Sequence, residues 1–300
     1  LFTYLLRRFG RFWKHFRLQL LLAQLSYALP LGLAGLLWSL QMDLHNYFVS
    51  HYFNAAKFAI YSVGCFQLPL VGILGDSVGS VLIPRISHLQ SENSIAEIVS
   101  LTAKAMRGLA AIYAPLFAFM FVTATPFITL LFRRDYIESV PIFRINLLMV
   151  LLAIVAVDPI VRAFMTERFW MMKLNIALFA AMVAILPAGI KWFGLAGAIA
   201  CVVTVQYVAR ILITWRVSRL LGVGWKDMGQ FRDLGKILIA ASAAGICILF
   251  LLAPLAPVGA LGSLVVCSFV FGAVYLGVLI LLRVPTQSEI QWIRTWKGPF

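Results

Sequence analysis

The chain has 300 residues, of which 62% are hydrophobic and only 12% charged, with a mean hydropathy of +0.96 and a formal net charge of +14. Ordinary soluble domains hold roughly 45–50% apolar and about 25% charged residues, so a water-soluble core is excluded. The basic excess would suggest nucleic acid in a soluble protein, and here it needs a different explanation.

In chain order, residues 1–18 come first as an amphipathic segment. Phe2, Leu5, Leu6, Phe9, Phe12, Trp13 and Phe16 recur at three- and four-residue intervals, with Arg7, Arg8, Arg11, Lys14 and Arg17 between them. Such a helix lies in a headgroup region, aromatics dipped toward the acyl boundary and bases near anionic lipid. A secretory signal is the rival reading, but the apolar run that follows exceeds a typical h-region and lacks a clear small-residue cleavage site.

Eight continuous apolar runs follow, over 19–41, 57–84, 106–131, 142–164, 170–191, 195–218, 236–256 and 261–282. A hydrocarbon core about 30 Å thick needs roughly 20 apolar residues per helix. The runs do not alternate apolar and polar as barrel strands do, so the expectation is an all-α integral membrane bundle of about eight transmembrane helices. The stretches 85–105 and 219–235 read as loops, and the tail 283–300 with Trp292 and Trp296 reads as an interfacial segment.

With the N-terminus placed inside, 19 of the 25 basic residues fall on the cytoplasmic side and five (Lys57, Arg133, Arg134, Arg144 and Lys191) on the other, leaving Arg210 within a helix. The positive-inside rule then places both termini in the cytoplasm and accounts for the charge without nucleic acid.

Chemistry-bearing motifs are scarce. Cys65, Cys201, Cys247 and Cys267 fall in apolar runs without Cys-x-x-Cys pairing, and His15, His45, His51 and His88 lack metal-ligand spacing. No Walker loop or His-Glu-x-x-His occurs, and the Gly-x-Ser-x-Gly spacing at Gly75–Gly79 sits within an apolar run rather than on a strand-to-helix turn. The expectation is a protein that is not an enzyme, with no catalytic residue, no cofactor and no metal.

The stretches HNYFVSHYFNAAKFAIYSVGCFQLP at 45–69 and DSVGSVLIPRISHLQ at 76–90 resemble flippases for lipid-linked O-antigen and other polysaccharide units. That family belongs to the superfamily that also holds multidrug extruders and the lipid II flippase. FRINLLMVLLAIVAVDPIVRAF at 143–164 and GLAGAIACVVTVQYVAR at 194–210 look like later helices of the same family. The resemblance implies two pseudo-symmetric six-helix lobes, sometimes with two further helices, and identifies this chain with helices seven to fourteen. It then divides into a cytoplasmic linker (1–18), a six-helix C-terminal lobe (19–218), a cytoplasmic loop (219–235), two additional helices (236–282) and a tail (283–300). The chain opens on Leu1 rather than Met, and the implied first lobe would precede it. One departure is that many relatives carry Asp where His45 falls, whereas the nearby acid here is Asp43.

Ionisable residues inside a span are costly and tend to face partners or a wet cavity. Asp76 lies between Gly75 and Gly79, a small-xxx-small spacing that admits a neighbouring helix. Asp158 and Arg162 stand four apart and can pair, either as a charged lining of the translocation path or as an interfacial ion pair, with Pro159 bending the helix beside them. Arg210, one turn after Gln206, either grips a diphosphate with its guanidinium fork or snorkels to headgroups, and Arg85 has the same two readings. These five are the substrate-pathway candidates.

The resemblance implies flipping of an undecaprenyl-diphosphate-linked oligosaccharide across a bacterial inner membrane, for lipopolysaccharide, capsule or exopolysaccharide. Its partners would be that lipid-linked glycan, membrane lipids and the missing lobe. The rivals are a drug or lipid II exporter of the same superfamily, and a membrane-embedded glycan polymerase or ligase. The last should show a large outer loop with clustered ionisable residues, and no outer loop here exceeds about fifteen residues on the spans above.

Overall fold

The computed structural model describes residues 17–164, 167–255 and 259–284, and every regular element among them is a helix. The amphipathic segment through residue 16 and the tail with Trp292 and Trp296 lie outside the described residues. Ten α-helices run as α1 Leu18–Tyr52, α2 Ala55–Gly64, α3 Pro69–Ser91, α4 Ile95–Val122, α5 Ala124–Phe132, α6 Val140–Leu152, α7 Asp158–Ala163, α8 Arg168–Leu221, α9 Arg232–Leu252 and α10 Gly259–Leu281. Short 3-10 turns at Arg134–Ser139 and Trp225–Phe231 join α5 to α6 and α8 to α9.

Six of these helices are long and apolar enough to cross a membrane. The bundle is therefore all-α, as expected, but several elements depart from the predicted spans. α1 runs eleven residues past the predicted end at 41. Gln41, His45 and Val49 lie at helical spacing and are all buried, so the polarity of Gln41 and His45 ends the hydropathic run without ending the helix. α4 likewise begins at Ile95, inside the predicted loop 85–105, because Ile98, Val99, Thr102 and Ala103 form a buried stripe. The connection from α3 is a tight turn through Asn93 at φ 55°.

The predicted helix 57–84 is broken at 65–68. Pro69 lacks an N–H and disfavours helical backbone at the residue before it, and Leu68 is extended at φ −79°, ψ 110°. The exposed carbonyl of Phe66 is satisfied by Asn146 Nδ2 at 3.1 Å. The predicted span 142–164 is likewise broken, into α6 and α7 around residues 153–157. Span 106–131 divides at Thr123, where Oγ1 returns to the Phe119 carbonyl at 2.7 Å.

α8 is 54 residues long and folds back on itself at Gly194, whose φ 59°, ψ −138° is open to glycine alone. Cys201 Sγ lies 3.8 Å from the Ile185 carbonyl, whereas sixteen residues of straight helix would separate them by roughly 24 Å. The arms 168–193 and 195–221 are therefore antiparallel. They pack so closely that a Cβ on Gly197 would collide with the Gly189 carbonyl.

The core has two parts. One gathers Tyr61, Ile86, Ile160, Met182, Leu186 and Ile199 from α2, α3, α7 and both arms of α8, with α1 laid along α8. The other gathers Tyr113, Ile128, Phe143, Ala240, Ala244 and Cys267, so that α9 packs on α4 and α10 on α9 and α5. The outside carries large apolar side chains in the open, among them Trp192, Phe193, Phe250, Phe269, Ile280 and Leu281. Large apolar side chains left open on helices long enough to cross a bilayer mark contact with lipid or another apolar partner.

Candidate functional site

Where α1, the broken α6–α7 segment and both arms of α8 meet, they leave a cavity of about 590 Å³. Polar side chains from each element reach it: Trp38 and Gln41 from α1, Asp158 and Arg162 from α7, Asn175 from the first arm of α8, and Gln206 and Arg210 from the second. Their surroundings are apolar, including Ile83, Met149, Leu152, Leu178 and Ile213. This combination of apolar walls and a few placed polar groups is typical of ligand sites.

The break between α6 and α7 builds the charged wall. In an unbroken helix the N–H of residue 159 would donate to the carbonyl of Val155, but Pro159 has no N–H and its ring would crowd that carbonyl. Arg210 supplies the missing donor across 55 residues of sequence, its Nη1 reaching the Val155 oxygen at 3.0 Å. The same nitrogen forms an ion pair with Asp158 Oδ2. One guanidinium thus stitches a freed carbonyl and a carboxylate to α8. Irregular backbone at membrane depth persists only where something satisfies it in this way.

This arrangement changes two of the sequence expectations. Asp158 takes its ion-pair partner from α8, not only the candidate four residues along its own helix. Arg210, for its part, is tied through Nη1 to Asp158 and to the Val155 carbonyl in this conformation. Arg162 lines the same cavity and is exposed. The structure therefore brings together Asp158, Arg162 and Arg210.

Asp76 and Arg85 are placed elsewhere, on exposed positions of α3. Beside Asp76, the space over Gly75 is met by the Tyr113 hydroxyl at 3.6 Å, while Gly79 faces nothing within 4 Å. Of the small-xxx-small pair, only Gly75 meets another helix, α4, here.

Further polar contacts went unseen in the sequence. His45 Nδ1 and the fully buried Tyr61 hydroxyl share a hydrogen bond of 2.7 Å, tying α1 to α2. Glu167, buried at the entry to α8, binds Arg216 bidentately, Nε to Oε2 at 2.8 Å and Nη2 to Oε1 at 2.9 Å. That fork joins the start of the first α8 arm to the far end of the second. The polar residues within apolar runs, Asn175 and Gln206, were the available signals for the cavity, yet nothing in their spacing shows that they converge.

Helices that can span a bilayer, an apolar exterior and a polar recess held inside the bundle define a multi-pass membrane protein. Residues 4–141, a little under half of the chain, match the model of a family described as polysaccharide biosynthesis protein. The match supports a membrane protein with a role in polysaccharide biosynthesis or export. It includes Trp38 and Gln41 and ends before Asp158, Arg162 and Arg210. No curated protein and no solved structure matches the chain.

Proposed function

We propose that this protein flips an undecaprenyl-diphosphate-linked oligosaccharide across a bacterial inner membrane, without chemistry of its own. The observation that carries this reading is the cavity: it gathers Arg162 and the Arg210–Asp158 ion pair inside an apolar bundle. A sugar diphosphate head group cannot cross hydrocarbon unaided, so it needs a recess lined with polar and cationic groups. At about 590 Å³ the cavity takes part of a head group rather than a whole oligosaccharide.

Alternating access further requires a second lobe facing the first across a central path. We place that lobe against the exposed faces of α1 and α3, where Asp76 and Arg85 lie. A drug or lipid II exporter would share these helices and differ in cavity chemistry. A polymerase or ligase would need a catalytic group acting on a bound glycan, where a flippase needs only a path for it.

The full-length gene product should restore surface polysaccharide in a strain lacking its own flippase, while residues 1–300 expressed alone should not. Rescue by the 300-residue chain as a monomer would overturn the two-lobe reading, and failure of the full-length protein would overturn the flippase reading.

The charge asymmetry orients the bundle. Cysteine labelling in intact cells should find residues 92–97 and 222–232 inside and 134–139 outside. Reversed accessibility at two of these sites would contradict the orientation.

A further inference from the structure

Gln41 is a buried cavity residue with an incomplete set of hydrogen bonds. Its side chain is 1% exposed, and Nε2 donates to the Asn175 carbonyl at 3.2 Å. That bond fixes the amide orientation, because a flipped amide would set two carbonyl oxygens against each other. Oε1 is consequently a buried acceptor with no donor among the described residues. The amide of Asn175 donates to the Met171 carbonyl at 2.9 Å and makes no bond to Oε1. A buried polar atom left in this state is costly and calls for a reason.

The cavity supplies one. Its charged groups, Asp158, Arg162 and Arg210, come from α7 and α8, whereas α1 contributes Gln41 and, one turn earlier, the half-exposed indole of Trp38. A cation is a poor match for Oε1, since the guanidinium groups of Arg162 and Arg210 line the same cavity. A neutral donor fits. Pyranose rings offer both complements, hydroxyl or amide N–H groups at the edge and an apolar C–H face that packs on an aromatic plane.

We infer that Gln41 is a specificity-determining residue: its Oε1 accepts a hydrogen bond from the sugar nearest the lipid, whose ring packs on Trp38. The inference rests on the flippase reading and adds a means of distinguishing glycosylated from bare carrier.

The test uses the full-length gene product in nanodiscs, titrated with a polyprenyl diphosphate and with the same lipid bearing one hexose. Wild-type protein should bind the glycosylated lipid about tenfold more tightly, the scale of one well-made hydrogen bond in a desolvated site. Gln41→Met, close in shape but unable to accept, should keep its affinity for the bare lipid and lose the tenfold increment. Its thermal stability should not fall by more than the loss of one hydrogen bond, because the unpartnered acceptor goes too. Gln41→Leu serves as the second variant and should behave alike.

Retention of the increment by either variant would overturn the role of Gln41, as would equal binding of both lipids by wild type. Failure of wild type to bind either lipid would overturn the flippase reading and this inference together.

Discussion

Replacing Arg210 by alanine is expected to destabilise the folded protein by about 2 kcal/mol and to abolish most glycan export. The substitution removes two contacts at once, the counter-ion of Asp158 and the donor that replaces the absent N–H of Pro159 at the Val155 carbonyl. Breaking one side of a fully buried ion pair costs roughly 3–5 kcal/mol. The side chains here are 23% and 36% exposed, so solvent screening brings the expected value below that range. In an Asp158→Ala background the same change should cost about 1 kcal/mol less, leaving mainly the orphaned carbonyl. Thermal unfolding of the four proteins in one detergent measures this cycle. Strictly additive losses would show that the two side chains do not act on each other.

Arg216→Met should lower the amount of folded protein in the membrane several-fold, because it strands the Glu167 carboxylate in a buried site. The guanidinium holds both oxygens of that carboxylate and lies over the Trp170 ring, 5.8 Å from its centroid. Converting both residues, Glu167→Met with Arg216→Met, should recover much of the loss, since an apolar pair of similar volume needs no desolvated charge. Quantitative blotting of membrane fractions distinguishes the two outcomes. A double variant worse than Arg216→Met alone would mean that the pair contributes more than mutual neutralisation.

Hydropathy reveals where lipid can touch a helix, and on that count the apolar runs were legible, down to the short turn that separates 170–191 from 195–218 at Gly194. Two things hide from it. Helical stretches whose inward positions are polar, such as Gln41 and His45 in α1, look like loops because the pattern scores composition rather than direction. Contacts between distant helices hide as well. Pro159 announces a disturbance four residues beyond Val155, but the residue that repairs it is Arg210, and only packing of α7 against α8 makes them neighbours. The same holds for Glu167 and Arg216, which are 49 positions apart. Asp158 and Arg162 had a local rule to join them, and the stitch to Arg210 had none. Asp76, inside a predicted span, and Arg85, just past its inner end, drew notice as charges, yet α3 turns both outward. Their significance rests on what faces α3, the question that the second-lobe proposal raises.

The most direct measurement is translocation itself. The full-length gene product, reconstituted into liposomes with an undecaprenyl-diphosphate-linked oligosaccharide in the inner leaflet, should expose that glycan to a membrane-impermeant lectin outside. This should need no nucleotide, and Arg210→Ala should reduce the exposure about tenfold or more, the kinetic equivalent of at least 1.4 kcal/mol. Glycan that stays inaccessible, with the protein folded and correctly inserted, would contradict the flippase account.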